Sequence, residues 1–192
     1  MLSSLKFNSI FSSVCGVCVE RALASRFLSL RAGGRVEKGD ELPDVVVFEG
    51  SPGNPVKLRD VFAGKKGILF GVPGAFTPGC DKTHLPGYVK DFELFKKKGV
   101  EVIACVAVND PFVMGAWGEA HAAQGKVKML ADTQATLAKA LKLEFDATQV
   151  LGGIRCERFS MIVNDNKVAF VNVEPDKVGL TCSLANVLLK EL

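Results

Sequence analysis

The chain is poor in histidine, with two in 192 residues. A cysteine–histidine metal centre is therefore poorly supplied. The six cysteines are Cys15, Cys18, Cys80, Cys105, Cys156 and Cys182. Beyond the N-terminal region they lie far apart and fit no zinc-ligand spacing. Long apolar runs are also missing: none reaches the ~18 residues that a membrane-spanning helix needs. There is no internal repeat and no low-complexity tract. A one-signed charge excess is absent from the body as well. Of the net +3, residues 1–35 contribute +4, leaving −1 for residues 36–192. A near-neutral body has no basic footprint for nucleic acid.

What is present is enough for one domain with a sizeable core: 192 residues, 48% of them hydrophobic. Residues 1–35 are rich in Ser and Arg and hold a single acid, Glu20. This is the composition of a mitochondrial presequence, so the expected division is a leader over 1–35 and a folded domain over 36–192. The rival reading is a secretory signal, with an apolar run from Ile10 to Val19 and a small-residue site at Ala22-Leu23-Ala24. Only Lys6 precedes that run, and arginines recur after it, which favours the mitochondrion over secretion. The cytoplasm is a second expected location. The C-terminal Lys190-Glu191-Leu192 departs from a Ser-Lys-Leu signal, which argues against the peroxisome.

Along the body, Asp44–Phe48, Gly67–Val72, Val100–Val108 and Val127–Leu130 read as strands. The two long runs lack alternation, as strands buried on both faces do. Helices are expected over Pro78 to about Lys98 with a kink at Pro86, Pro111 to about Gln124, Gln134–Leu143 and Ser183–Leu192. Phe159–Val163 and Val168–Val173 flank Asn164-Asp165-Asn166 and read as a hairpin. This order predicts an α/β fold, a mixed central sheet sandwiched by helices, as in the thioredoxin-like fold.

The stretch Pro73-Gly74-Ala75-Phe76-Thr77-Pro78-Gly79-Cys80 sets one cysteine just inside an expected helix start, directly after an apolar strand. Thr77 suits an N-cap and Pro78 the first helical position. The free N–H groups and dipole of a helix N-terminus favour an anion, and the thiolate is the reactive form of cysteine. Helix placement that takes a cysteine from a pKa of about 8.5 to about 6 raises the thiolate share at pH 7 only about thirtyfold. A thiolate that reacts fast therefore needs further donors for the transition state. Thr77 is one candidate, since a hydroxyl can accept and donate at once.

These residues resemble the peroxiredoxins. Pro73, Thr77 and Cys80 reproduce that family's Pro-x-x-x-Thr-x-x-Cys pattern. The string from Gly71 through His84-Leu85-Pro86-Gly87 is similar to the peroxiredoxin-5 group. So are Val108-Asn109-Asp110, Arg158-Phe159-Ser160-Met161, Asn172-Val173-Glu174-Pro175 and Gly179-Leu180-Thr181-Cys182-Ser183.

The resemblance implies an atypical two-cysteine peroxiredoxin, a thiol peroxidase acting on hydrogen peroxide and alkyl hydroperoxides. Cys80 would be the peroxidatic cysteine. Thr77 would hold the peroxide and the sulfur, Pro73 would shield the sulfenic acid, and Arg158 would stabilise the thiolate and the developing oxyanion. Cys182 would resolve the sulfenic acid as an intrachain disulfide, which a thioredoxin-type dithiol would reduce. Cys105 competes for that role, but its strand reads as buried. No metal or cofactor is implied, nor nucleic acid or a membrane as partner, and a monomer or weak homodimer is expected.

Three further features point elsewhere. Cys15-Gly16-Val17-Cys18 has redox-motif spacing but lies in the expected leader. His84 follows Cys80 by four residues, so a Cys–His hydrolase is an alternative, although no Asn or Asp orienter can be assigned. A thioredoxin-fold binding or relay module is the non-enzyme alternative. Cys156 reads as a surface thiol, incidental or regulatory, and His121 as an exposed helix residue.

Overall fold

The computed structural model describes residues 34–192. In chain order the elements are β1 (Val46–Glu49), β2 (Pro55–Lys57), α1 (Leu58–Phe62), β3 (Lys66–Gly71), a π-helical turn (Cys80–His84), α2 (Leu85–Lys90), α3 (Phe92–Lys97), β4 (Val102–Ala107) and α4 (Pro111–Ala120). Then come β5 (Lys128–Ala131), α5 (Thr136–Leu141), β6 (Glu144–Asp146), α6 (Thr148–Leu151), β7 (Ile154–Cys156), β8 (Phe159–Asn164), β9 (Lys167–Val173) and α7 (Ala185–Leu188). Seven strands form one mixed sheet in the order β2-β1-β5-β4-β3-β8-β9. β3, β4 and β5 run parallel, and the remaining pairs are antiparallel.

The sheet has a core on each face, which is why its central strands are apolar without alternation. Leu69, Ala104 and Val106 face α1 and α5. Ile68, Phe70, Ile103 and Cys105 face α2, α3, α4 and α7 on the other side, and Cys80 belongs to that second core. At the end of β3, Gly71 lies opposite Phe159 of β8, and a Cβ there would meet the Phe159 ring. The close approach of β3 and β8 brings the Cys80 loop and the Arg158 segment side by side.

The expected hairpin is present. Asp165 and Asn166 take φ of 45° and 65°, the left-handed pair that a tight two-residue turn requires. Asp110 accepts from the Val113 N–H at 2.9 Å, and Pro111 follows it, which fixes the start of α4.

The expected Pro78–Lys98 helix is not continuous. Pro86 lacks an N–H and its ring crowds the carbonyl four residues back. The chain answers with the π turn ahead of it, where the Leu85 N–H reaches the Cys80 carbonyl. A second break falls at Asp91 (φ −90°, ψ 10°). The terminal helix is shorter than expected, covering Ala185–Leu188, because Ser183 and Leu184 remain in the loop geometry described below. Several short elements carried too little pattern to read. β2 is an edge strand that begins with Pro55, a position where a strand accepts proline, and α1, β6, α6 and β7 run three to five residues each.

Candidate active site

The loop after β3 is fastened from below. The Val72 N–H donates to the Val106 carbonyl at 3.0 Å, and the Ala75 N–H to Asn109 Oδ1 at 3.0 Å. Pro73 is buried. Phe76 sits at φ 58°, strained for an aromatic residue, with its ring half exposed and 6.4 Å from Trp117. The Thr77 hydroxyl donates to the Gly74 carbonyl at 2.9 Å, and the Asp81 N–H closes the first helical turn onto the Thr77 carbonyl at 2.8 Å. The expectation that the Thr77 side chain caps the helix is thus corrected. Its single proton closes the Gly74–Thr77 turn, which leaves the oxygen lone pairs to accept from another donor.

Cys80 is fully buried, and Arg158 is its polar neighbour. Arg158 Nη1 donates to Cys80 Sγ at 3.2 Å and, from the same nitrogen, to His84 Nδ1 at 3.2 Å. Nε donates to the Val178 carbonyl at 3.1 Å. Arg158 is 3% exposed, so it is no surface ion-pair residue. Among the described residues no carboxylate forms an ion pair with it. Gly79 matters here. A Cβ on it would stand 3.2 Å from both Arg158 Nη2 and Leu180 Cδ1, so the C-terminal loop closes directly over this turn.

His84 is fixed in one protonation state by its partners. Nε2 lies 3.0 Å from the Ser183 carbonyl, which can only accept, so Nε2 carries the proton. Nδ1 faces a guanidinium, which can only donate, so Nδ1 is bare. Burial, then the Arg158 charge, pushes its pKa down to about 3 from the ordinary 6.5. Neither ring nitrogen faces Cys80, so His84 is not placed as a base for that thiol, and the Cys–His hydrolase reading loses its geometry.

Cys182 lies on the same side of the sheet, in a loop gathered by one carboxylate. Glu174 accepts from the N–H groups of Thr181, Cys182 and Ser183 at 2.8, 2.9 and 2.9 Å, and from the Thr181 and Ser183 hydroxyls at 2.6 and 2.7 Å. Burial opposes the charge on Glu174, but these donors outweigh it and hold the carboxyl down to about 2. The Cys182 thiol is half-buried and lies 3.5 Å from the Val173 carbonyl. Burial, then the Glu174 charge, pushes that thiol up. Cys105 is fully buried in β4, and burial, then Cys80, pushes its thiol well up.

The structure thus brings Cys80, Arg158, Thr77, Pro73 and the Cys182 loop to one end of the sheet. Cys156 is corrected: it is buried, and its thiol is pushed up chiefly by desolvation. His121 is corrected too, since its Nε2 meets Asp81 Oδ1 at 2.7 Å beside the Trp117 Nε1 bond to the same oxygen at 2.8 Å. Cys15, Cys18 and almost all of the expected leader lie outside the described residues. Glu174, Asn109, Tyr88 and Arg155 have structural roles that sequence reasoning missed. Glu174 and Asn109 stand inside motifs that carry the family resemblance, which was the available signal. Arg155 bridges the Val108 and Leu151 carbonyls at 3.0 and 2.7 Å and had none. No group of three or more His, Cys, Asp or Glu side chains is gathered for a metal among the described residues.

Residues 37–188 match the Redoxin family. Over 160 residues the chain is 44% identical to Peroxiredoxin-2C of Oryza sativa subsp. japonica, covering 82% of this chain and 98% of that protein. The chain is a peroxiredoxin. The fold agrees. Peroxiredoxin 5 from Alvinella pompejana superposes with a TM-score of 0.72 at 44% identity, covering 81% of this chain and 98% of that one. Reduced Prx3 in complex with H2O2 from Vibrio vulnificus gives 0.76 at 42% identity, with coverages of 81% and 98%. Peroxiredoxin-2F, mitochondrial, of Arabidopsis thaliana is 38% identical over 135 residues, or 70% of this chain and 67% of that protein. As a peroxiredoxin of the peroxiredoxin-5 type, the protein is a thiol peroxidase that reduces hydroperoxides.

His84 and Glu174 both favour neutral pH. The unfolded chain protonates histidine below about 6.5 and this folded His84 only near 3, so the His84 contribution is lost as pH falls from about 6.5 toward 3. The Glu174 contribution is present above its ordinary 4.5 and lost as pH falls toward about 2. Glu174→Gln is expected to cost on the order of 3 kcal/mol at pH 7. The gap to wild type should close between pH 4.5 and 2, as read by urea midpoints. A gap constant with pH would show that the charge on Glu174 is not what holds the loop.

Proposed function

We propose that Cys80 is the peroxidatic residue of this peroxidase and Cys182 the resolving one. The observation that carries the first assignment is the Arg158 Nη1 contact with Cys80 Sγ at 3.2 Å, made by a buried guanidinium without a carboxylate partner. A buried cation of this kind is compensated by an anion, and the thiolate supplies one. The Cys80 thiolate attacks one peroxide oxygen, the O–O bond breaks, and the electron pair leaves on the other oxygen. That oxygen takes up a proton and departs as water or an alcohol, and Cys80 is left as sulfenic acid. Arg158 donates to the sulfur and to the charge developing on the departing oxygen. Thr77, its own proton held by Gly74, accepts the O–H of the hydroperoxide and so orients it. Buried Pro73 keeps water from the sulfenic acid.

Cys182 then attacks the Cys80 sulfur. The sulfenic hydroxyl leaves with the thiol proton as water, and an intrachain disulfide forms. A thioredoxin-type dithiol returns both thiols through a mixed disulfide. The half-buried, loop-borne Cys182 supports this assignment over Cys105, which lies fully buried in a central strand. Residues 1–35 are proposed as a mitochondrial presequence, on their composition and on the similarity to Peroxiredoxin-2F, mitochondrial. The folded body holds on to the last of these residues, because Arg35 donates to Glu157 at 2.8 Å.

Cys80→Ser is expected to abolish peroxide consumption, followed by a coupled peroxidase assay; retained turnover would overturn the assignment. Cys182→Ser should still consume one equivalent of peroxide per chain yet fail to cycle with thioredoxin. Undiminished cycling would transfer resolution to another thiol. Intact-mass measurement of the protein recovered from mitochondria should find the leader removed, and a full-length mass there would refute the presequence.

A further inference from the structure

The segment that carries Cys182 is anchored at three points. Its N–H groups are held by Glu174. The Cys182 carbonyl accepts from Asn172 Nδ2 at 2.8 Å. The next carbonyl, that of Ser183, is held from across the site by the Cys80 helix itself. It accepts His84 Nε2–H at 3.0 Å and the Tyr88 hydroxyl at 2.8 Å. The first two anchors tie the loop to its own neighbourhood beside β9. The third ties it to the element that carries the peroxidatic sulfur.

The two donors are aimed by packing. His84 and Tyr88 are four residues apart on one helical face, and both are fully buried. The Tyr88 ring stacks on Phe70 with centroids 4.0 Å apart and on Phe95 at 5.6 Å. His84 also receives Arg158, so the chain of contacts runs from Cys80 through Arg158 and His84 to the residue beside Cys182. In this arrangement both sulfurs are engaged elsewhere, Cys80 with Arg158 and Cys182 with the Val173 carbonyl. A disulfide needs the two sulfurs about 2 Å apart, so Cys182 Sγ has to give up the Val173 carbonyl to bond Cys80.

We propose that Tyr88, together with His84, is a positioning residue for the resolving step: by holding the Ser183 carbonyl it restrains Cys182, and release of that carbonyl sets how fast the Cys80 sulfenic acid is captured. The proposal rests on the reading of Cys182 as the resolving cysteine. Release of the segment also takes the thiol out of burial and away from the Glu174 charge, both of which favour the thiolate that attacks. Resolution releases the sulfenic hydroxyl as water and forms the S–S bond. If the loop stays, a second peroxide can oxidise the sulfenic acid to sulfinic acid, losing its other oxygen as water. The clamp therefore sets the partition between disulfide and over-oxidised enzyme.

Tyr88→Phe in the full chain is the test, since it keeps the ring stack and removes one donor. Stopped-flow fluorescence of Trp117, which is bonded to Asp81 next to Cys80, would follow oxidation after one equivalent of hydrogen peroxide. Acid quench and mass mapping would follow the disulfide, and excess peroxide the sulfinic fraction. The expected result is an unchanged rate of peroxide attack, with disulfide formation about three- to tenfold faster, the worth of one hydrogen bond, and less sulfinic acid. A Cys80–Cys182 disulfide forming no faster than in wild type overturns the clamp alone. A parallel fall of both rates also overturns it, by showing a general structural effect. A Cys80–Cys105 link with Cys182 free overturns the Cys182 reading and the clamp with it.

Discussion

Arg158 carries a permanent charge almost entirely out of water, and much of the site follows from accommodating it. An isolated buried charge is costly, so its donors must be filled. One nitrogen is shared by the Cys80 sulfur and a histidine, and another is taken by a backbone carbonyl of the loop at 178. None of these partners is a carboxylate. A carboxylate in that position would neutralise the guanidinium and leave it little pull on the sulfur. With neutral acceptors around it, the charge is directed at Cys80.

The same constraint explains the histidine. A second cation 3.2 Å from the guanidinium would be repelled, and burial acts in the same direction, so the ring is kept neutral. It serves as an acceptor for Arg158 and a donor to Ser183, and its spacing from Cys80 serves packing rather than proton transfer. Glu174 is the counterpart on the loop. It too is a buried charge, and it is compensated by five N–H and O–H donors rather than by a cation. Arg158, bonded to the Cys80 turn and to the Val178 carbonyl, and Glu174, bonded to residues 181–183, hold the Cys80 turn and the Cys182 loop in place.

Much of this was legible in the chain. The unbroken apolar runs around Leu69 and Ala104 read as strands covered on both faces, and Asn164-Asp165-Asn166 as a hairpin turn. Cys80 behind Thr77-Pro78 was recognisable as a thiol at a helix start. The π turn was not, because Pro86 announces a disturbance without saying whether the helix bends, breaks or widens. The short elements between Glu144 and Cys156 were not legible either, since three residues cannot display a period. Cys156 and His121 were misread as exposed for a related reason. Each is a single residue whose burial is decided by a distant partner, the core of α5 in one case and Asp81 in the other.

The sequence by itself determined the layered α/β fold and the family and singled out Cys80 as the candidate reactive thiol, because each is written in local pattern: apolar periodicity, turn residues and the spacing of Pro73, Thr77 and Cys80. Only the tertiary structure decided that Thr77 spends its proton on Gly74, that His84 is neutral with its proton on Nε2, and that Ser183 is held by Tyr88. These depend on which donor meets which acceptor across separations of up to about a hundred residues. Hydrogen-bond geometry is fixed to tenths of an ångström, and no spacing along the chain carries that information.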